Sequence, residues 1–349
     1  MKTFNIEKLI RKNVLQIKAY TAARDEFQKT APEMIYLDAN ENPFDNGVNR
    51  YPDPQQQDLK KVIAAFRNVS AAAITLGNGS DELLDLIFRA FCTPDQDNII
   101  TLPPTYGMYE VLAGLNAVEN RTVLLTPDFQ LNIPEILNRV DPNTKLLFIC
   151  SPNNPTGNTF PEKAITSLLE QFEGIVVLDE AYIDFSETGS WLQKIVDYPN
   201  LIIIQTFSKA FGMAGIRLGA AYASEAITAI LNKIKPPYNI NTLTQEKALT
   251  LINNTKVKDK ITLIKAEKEN LIKVLLQINF IKKIYPSAAN FILVQVDDAE
   301  KRYCQLIDKG IVVRNRNNYP LCQNCLRITI GTKEENNQLL IALQEMNRS

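Results

Sequence analysis

Leu201-Ile-Ile-Ile-Gln-Thr-Phe-Ser-Lys-Ala-Phe-Gly-Met-Ala-Gly-Ile-Arg-Leu-Gly-Ala-Ala-Tyr222 holds two apolar runs of strand length around a small polar turn. The first, Leu201–Gln205, stops just before Ser208 and Lys209; the second, Leu218–Tyr222, follows Arg217 and the glycines at 212 and 215. Upstream, Ile175–Leu178 is another unbroken apolar run, and Leu146–Cys150, Thr122–Leu125 and Ile99–Leu102 repeat the pattern. Strands without polar alternation are buried on both faces, as in parallel sheets covered by helices. Helical patterns at 81–91, 105–115, 161–172 and 224–234 separate most of these runs. The expected fold is therefore α/β: a mostly parallel sheet sandwiched by helices over residues 51–240, with ligands at the carboxyl ends of the strands.

Beyond it, residues 243–277 read as one long helix with a solvated, charge-rich face. Strands are expected at Phe291–Val296, Ile311–Arg314 and Leu326–Ile330, and helices at 299–308 and 333–346. These, with residues 30–50, predict a smaller α+β domain of 30–50 and 241–349. Residues 1–29 read as an N-terminal arm with a short amphipathic helix at 5–12 and Tyr20 in its polar part. Met34–Asp38 is a short apolar run ending in the polar turn Asn40-Glu41-Asn42-Pro43.

Composition excludes several classes of function. Lys plus Arg total 38 and Asp plus Glu 39, so no basic excess suggests nucleic acid. The chain has no histidine, which removes every His base and every His-ligated metal; proton transfer falls to Lys, Tyr, Asp, Glu or a cofactor. Five cysteines in 349 residues are not a disulfide scaffold, and the lone C-x-x-C of Cys322 and Cys325 lacks a second metal-ligating pair. No metal is expected. Glu7, Lys8, Arg11 and Lys12 interrupt the first apolar residues, and no run nears the ~20 of a membrane span, so the expectation is a cytoplasmic protein without membrane partners.

Six elements carry chemistry. Lys209 stands after a strand end; burial there lowers a lysine's proton affinity and makes it a nucleophile toward an aldehyde, with a plain surface lysine as the alternative. Gly212, Gly215, Gly219 and Arg217 curl behind it as a backbone suited to an anion. Gly174-Ile-Val-Val-Leu-Asp-Glu-Ala-Tyr182 runs straight into Asp179, an acid that needs a cationic partner such as a protonated pyridine nitrogen, with an arginine or a metal ion as the alternative, the latter weakened by the lack of a Walker A sequence; Tyr182 sits in the same loop. Cys150-Ser-Pro-Asn-Asn-Pro-Thr-Gly157 is a stiff turn offering the amides of Asn153 and Asn154. Leu76-Gly-Asn-Gly-Ser-Asp-Glu-Leu83 opens a helix, placing Gly79, Ser80 and Asp81 at an anion-binding N-terminus, or simply at a helix cap. Pro103-Pro-Thr-Tyr-Gly-Met-Tyr109 offers Tyr106 to stack on a flat ring, unless it is a core aromatic. Arg314 and Arg327, the latter inside an apolar strand, suit bidentate recognition of a carboxylate or phosphate, with a structural ion pair as the alternative.

In this order the elements resemble the fold-type I, pyridoxal 5′-phosphate (PLP) dependent aminotransferases of class I/II. Leu37-Asp-Ala-Asn-Glu-Asn-Pro43, Arg50-Tyr-Pro-Asp-Pro54, the Asp179–Phe185 run and Cys325–Thr332 are most similar to their histidinol-phosphate aminotransferase branch. The resemblance implies that Lys209 joins the cofactor covalently and moves the substrate proton, Asp179 holds the ring nitrogen, and Tyr182 and Asn154 hold the phenolic oxygen. It implies that Tyr106 stacks on the ring, that Gly79, Ser80, Asp81, Ser208 and Arg217 surround the cofactor phosphate, and that Tyr51 reaches that phosphate from the second subunit of a homodimer. Tyr20, Asn40, Arg314 and Arg327 would surround the substrate, and the substrates implied are histidinol phosphate and glutamate or 2-oxoglutarate. An aromatic aminotransferase and a PLP-dependent amino-acid-phosphate decarboxylase are the nearest alternatives. A ligand-sensing regulator would need an added DNA-binding domain, and the arm is not basic enough for one.

Overall fold

The computed structural model describes residues 4–22, 24, 34–252 and 256–348. Among them, the strands β1 (Ile74–Asn78), β2 (Asn98–Thr101), β3 (Glu119–Thr122), β4 (Thr144–Cys150), β5 (Ile175–Asp179), β6 (Leu201–Thr206) and β7 (Leu218–Ala223) form one sheet in the order β1-β7-β6-β5-β4-β2-β3. Neighbours pair in parallel from β3 through β6, and β7 runs antiparallel to both β6 and β1. Because β7 is reversed, its first residues lie at the same edge as the last residues of the other strands.

The period-2 pleat explains the double burial. Leu147, Ile149, Val176, Leu178, Leu201 and Ile203 face one core, while Leu146, Phe148, Ile175, Val177, Ile202 and Ile204 face the other. Helices α1 (Lys12–Gln16), α2 (Gln57–Arg67), α3 (Gly79–Phe91), α4 (Met108–Leu115), α5 (Ile133–Asn138), α6 (Glu162–Gln171) and α7 (Glu225–Ile234) supply the cover. Leu83, Ile87, Tyr109, Leu112, Ile227 and Leu231 close the second core from α3, α4 and α7, and Leu59, Ile63, Ile165 and Leu168 close the first from α2 and α6. Truncating such a residue, Leu178→Ala for instance, costs roughly 2–5 kcal/mol.

The remainder builds the smaller unit. Helices α8 (Thr242–Ile252), α9 (Lys256–Leu275), α10 (Ala299–Asp308) and α11 (Lys333–Arg348) accompany strands β8 (Ile281–Ile284), β9 (Phe291–Val296), β10 (Arg314–Asn315) and β11 (Cys325–Thr329). These strands form an antiparallel sheet, β10-β11-β9-β8, with its own core of Leu271, Leu275, Ile292, Val294, Leu306, Ile328 and Leu343. Its other face carries Phe291, Leu293 and Cys325 into the first core of the large sheet. The arginine strand is thereby packed directly against the strand ends.

Several expectations need correction. The strand expected at Thr122–Leu125 is β3, three residues earlier: an exposed edge strand with no apolar signature, after which Val123 and Leu125 turn into the core. The strand expected at Ile311–Arg314 shortens to Arg314–Asn315, since the preceding residues leave the ladder. β1 was read only as a glycine-rich turn, because Gly77 and Asn78 mask a fully paired strand end. The single helix expected at 243–277 is two, α8 and α9, and residues 253–255 lie outside the described residues. The helix expected at 5–12 is a 3₁₀ turn, Ile6–Lys8, followed by α1. Of the expected arm, residues 1–3, 23 and 25–29 also lie outside the described residues, as do 30–33 of the small domain.

Candidate active site

The carboxyl ends of β1, β2, β4, β5 and β6, with the start of β7, surround a cavity of about 420 Å³, within the usual range for a small-molecule site. Lys209, Asp179, Tyr182, Ser80, Asp81, Tyr106, Asn154, Ser208, Arg217, Arg314 and Arg327 all line it. Gly79 lies just behind Ser80, where the chain turns from β1 into α3. Tyr20, Asn40 and Tyr51 do not line the cavity. Tyr20 is exposed, Asn40 stands in an exposed left-handed turn, and Tyr51 stacks on Tyr238 with ring centroids 4.5 Å apart.

Asp179 ends β5 almost fully buried. Burial pushes its carboxyl up to about 6, against the opposing hydrogen bonds from the Tyr109 hydroxyl at 2.7 Å and the Ala181 amide at 3.0 Å. The next acids of the same run are structural. Glu180 accepts bonds from Ser190, the Trp191 amide and Gln205, and Asp184 accepts both forks of Arg67 at 2.6 and 3.0 Å.

Lys209 follows β6, three residues beyond Thr206. It is open to the cavity rather than buried as expected, and makes no hydrogen bond among the described residues. The cavity walls still strip water from it, and Arg327 and Arg217 add positive potential, so its pKa falls below the ordinary lysine value. Its Nζ lies 5.9 Å from the centre of the Tyr182 ring, which burial holds in the neutral phenol.

The anion cradle is built from two distant turns. Gly79 has φ +75°, and a Cβ there would stand 2.6 Å from the Arg217 guanidinium. A Cβ on Gly219 would stand 2.5 Å from the Gly79 carbonyl carbon and the Ser80 nitrogen. Bare backbone at both positions lets the first-turn amides of α3 and Arg217 converge on one space. Tyr106 walls this end, its hydroxyl bonded to Asp81 at 3.0 Å.

At the turn after β4, the two asparagines divide their roles. Asn153 spends its amide on the Pro104 carbonyl and Thr156, and accepts from Thr105, so it locks two turns together and is not a ligand donor. The Asn154 carbonyl accepts from Arg327, and since arginine only donates, the Asn154 amide nitrogen is left for the cavity.

Three residues to which the sequence reading gave no role belong here. Tyr109, stacked on Phe148 at 4.8 Å, supports Asp179 from below. Arg316 and Tyr319, from the loop between β10 and β11, line the cavity beside Arg314 and Arg327.

The parts fit PLP: a lysine without a partner, a buried carboxylate at ring depth, a phenol and an amide between them, and a cradle that a single methyl group would fill. The fold and the site together define a PLP-dependent transaminase of fold type I. The family model described as aminotransferase class I and II matches residues 22–343. The histidinol-phosphate aminotransferase of Flavobacterium johnsoniae is 60% identical, covering 99% of this chain and 100% of its own. The crystal structure of the histidinol-phosphate aminotransferase from Clostridium acetobutylicum is similar at TM-score 0.79 and 27% identity, over 86% of this chain and 91% of that one. The Sinorhizobium meliloti enzyme of the same name, solved with pyridoxal-5′-phosphate, shares the fold at TM-score 0.78 and 24% identity, over 86% and 83%. The chain belongs to the class I and II aminotransferases, in their histidinol-phosphate aminotransferase family.

Proposed function

We propose that this chain transfers an amino group between histidinol phosphate and 2-oxoglutarate, in histidine biosynthesis, as a cytoplasmic homodimer. One observation carries the reading: Lys209 and Asp179 share a ring-sized cavity whose other end presents Arg314, Arg316 and Arg327, none with an acidic partner among the described residues. That end suits the anion of a substrate whose amine must reach Lys209. The substrate itself comes from the names of relatives up to 60% identical.

When bound, PLP supplies the electron sink for the substrate's α-carbon. Lys209 would anchor it, Asp179 would keep its ring nitrogen protonated, and Tyr182 and the Asn154 amide would hold its phenolic oxygen. Tyr106 would cover the ring, and the Gly79–Asp81 turn, Ser208 and Arg217 would take its phosphate. The chain's own work is then positional. The arginines fix the substrate's anionic end, and this sets the α-hydrogen within reach of the Lys209 amine, which accepts and returns that proton.

The homodimer is supported by a row of exposed apolar side chains, with Ile35, Leu37 and Phe44 each at least 80% exposed, leading to Tyr51 and to Glu41, which is clamped by Arg24 and Arg50. In this reading Tyr51, Tyr20 and Asn40 of each chain serve the cavity of the other. Among the described residues no helix is long and apolar enough to cross a membrane.

The test is a pair of half-reactions. Holoenzyme mixed with histidinol phosphate should lose its cofactor's visible band and recover it with 2-oxoglutarate. Conversion by phenylalanine alone would favour an aromatic aminotransferase, and carbon dioxide released from an amino-acid phosphate would favour the decarboxylase.

A further inference from the structure

We propose that Arg316 is a specificity-determining residue: with Arg314 and Arg327 it makes the substrate end of the cavity select a dianionic phosphate monoester over a carboxylate. The inference rests on the function proposed above and deepens it.

The three arginines come from one hairpin. Arg314 on β10 stands directly opposite Arg327 on β11 in the antiparallel ladder, a pairing of like charges that a sheet tolerates poorly without an anion between them. Arg316 lies two residues after Arg314. Its amide donates to the Cys325 carbonyl at 2.9 Å, and its guanidinium lies 4.8 Å over the Tyr319 ring.

Arg316 is only 8% exposed, yet its Nε has no partner and none of its nitrogens meets a carboxylate among the described residues. A buried, unpaired guanidinium is costly. The charged and titratable groups facing it are Arg314, Arg327, Tyr319, Cys322 and Tyr182, and none of these is a carboxylate. Desolvation and this crowding push the proton affinity of both Arg316 and Arg327 below the arginine norm. The cavity's acids are engaged elsewhere, Asp81 with Tyr106 and Asp179 with Tyr109.

The loop keeps the guanidinium from swinging out to water. Tyr319 N–H donates to the Arg316 carbonyl at 2.9 Å, Cys322 N–H to Tyr319 at 3.1 Å and Cys325 N–H to Cys322 at 3.0 Å, with both cysteines fully buried beneath. The C-x-x-C pair thus serves as the loop's apolar anchor.

Charge and geometry decide what such a site selects. A carboxylate has one charge and two oxygens, which one or two guanidinium forks satisfy. A phosphate monoester has three terminal oxygens and nearly two charges above its second pKa of about 6, and can engage several forks at once. Two arginines suffice for a carboxylate; the third gains its partner only when the ligand is a phosphate.

The experiment compares wild-type, Arg316→Gln and Arg316→Lys holoenzymes with histidinol phosphate and with glutamate. Arg316→Gln should raise KM for histidinol phosphate about 10- to 100-fold and change KM for glutamate far less. Arg316→Lys should fall between, restoring charge but not the fork. The wild-type KM for the phosphate substrate should rise as pH falls through about 6, where the dianion is lost, and this slope should flatten in Arg316→Gln. Equal losses for both substrates, or an unchanged pH slope, would overturn the proposal. Should Arg316→Gln fail to fold, a selective loss in Arg316→Lys upholds the proposal and an equal loss defeats it. Should wild type not turn over histidinol phosphate, the proposed function fails on its own. Inorganic phosphate competing with glutamate in wild type but not in the variants would still uphold the subsite, and absence of that competition would refute it.

Discussion

The Tyr109 hydroxyl donates a 2.7 Å hydrogen bond to Oδ2 of Asp179, both side chains being almost fully buried. The bond fixes one carboxylate oxygen, and the Ala181 amide holds the other at 3.0 Å. Asp179 therefore meets any ligand in a set orientation. Bonds of a neutral donor to an ion contribute about 1.5–3 kcal/mol. Tyr109→Phe should weaken PLP binding to the cofactor-free protein by about 10-fold or more, read by fluorescence titration, without loss of fold. Unchanged affinity would strip Tyr109 of this role.

Asp179 also sets a pH dependence for the cofactor-free protein. Burial raises its folded pKa to about 6, whereas the unfolded chain loses that proton near 4. Between those values the folded state binds more protons, so stability falls as pH rises from 4 to 6, and the loss persists above 6 at about 3 kcal/mol. Urea unfolding at pH 4.5 and 7 should show this drop in wild type and not in Asp179→Asn. Parallel behaviour of the two proteins would contradict it.

Lys209 makes no hydrogen bond among the described residues and is open to the cavity, so its removal should not disturb the fold. Lys209→Ala should melt like wild type, take no covalent label from PLP and borohydride, and lose at least about a thousandfold in turnover. Retained labelling in this variant would point to another amine.

Arg67 and Asp184 form a two-pronged ion pair, each side chain less than one-fifth exposed, between α2 and the turn after Tyr182. Removing one partner strands a buried charge. Arg67→Met should cost about 3–5 kcal/mol, and the double variant Arg67→Met with Asp184→Leu distinctly less. A double-mutant cycle by denaturant titration measures it; additive losses would mean that the pair is not coupled.

Legibility in the sequence followed burial symmetry. β4, β5 and β6 are apolar on both faces, so runs such as Ile175–Leu178 announced themselves, and the residues just past them were natural site candidates. β3 hid because its exposed edge carries Glu119 to Thr122, and β1 because Gly77 and Asn78 look like a turn when no partner strand is in view. Tyr109 was passed over because a tyrosine three residues after Tyr106 reads as core, which its ring is; only the reach of its hydroxyl across the sheet makes it more. Arg316 sits among asparagines in what reads as a polar loop, and its burial depends on β11 folding back beside it. Asn153 and Asn154 are neighbours in sequence, and only their partners distinguish a structural clamp from a free donor.

The reversal of β7 has a bearing on how the chain matures. The Gly79 amide bonds the Arg217 carbonyl at 3.0 Å, and Asn78 pairs with Leu218, so the proposed phosphate cradle joins segments some 140 residues apart. A nascent chain released before that second segment has left the ribosome possesses the β1 turn without its counterpart. If these turns take the cofactor as proposed, its capture is a late event in biogenesis, and fragments ending short of β7 should emerge colourless however much of the parallel sheet they have assembled.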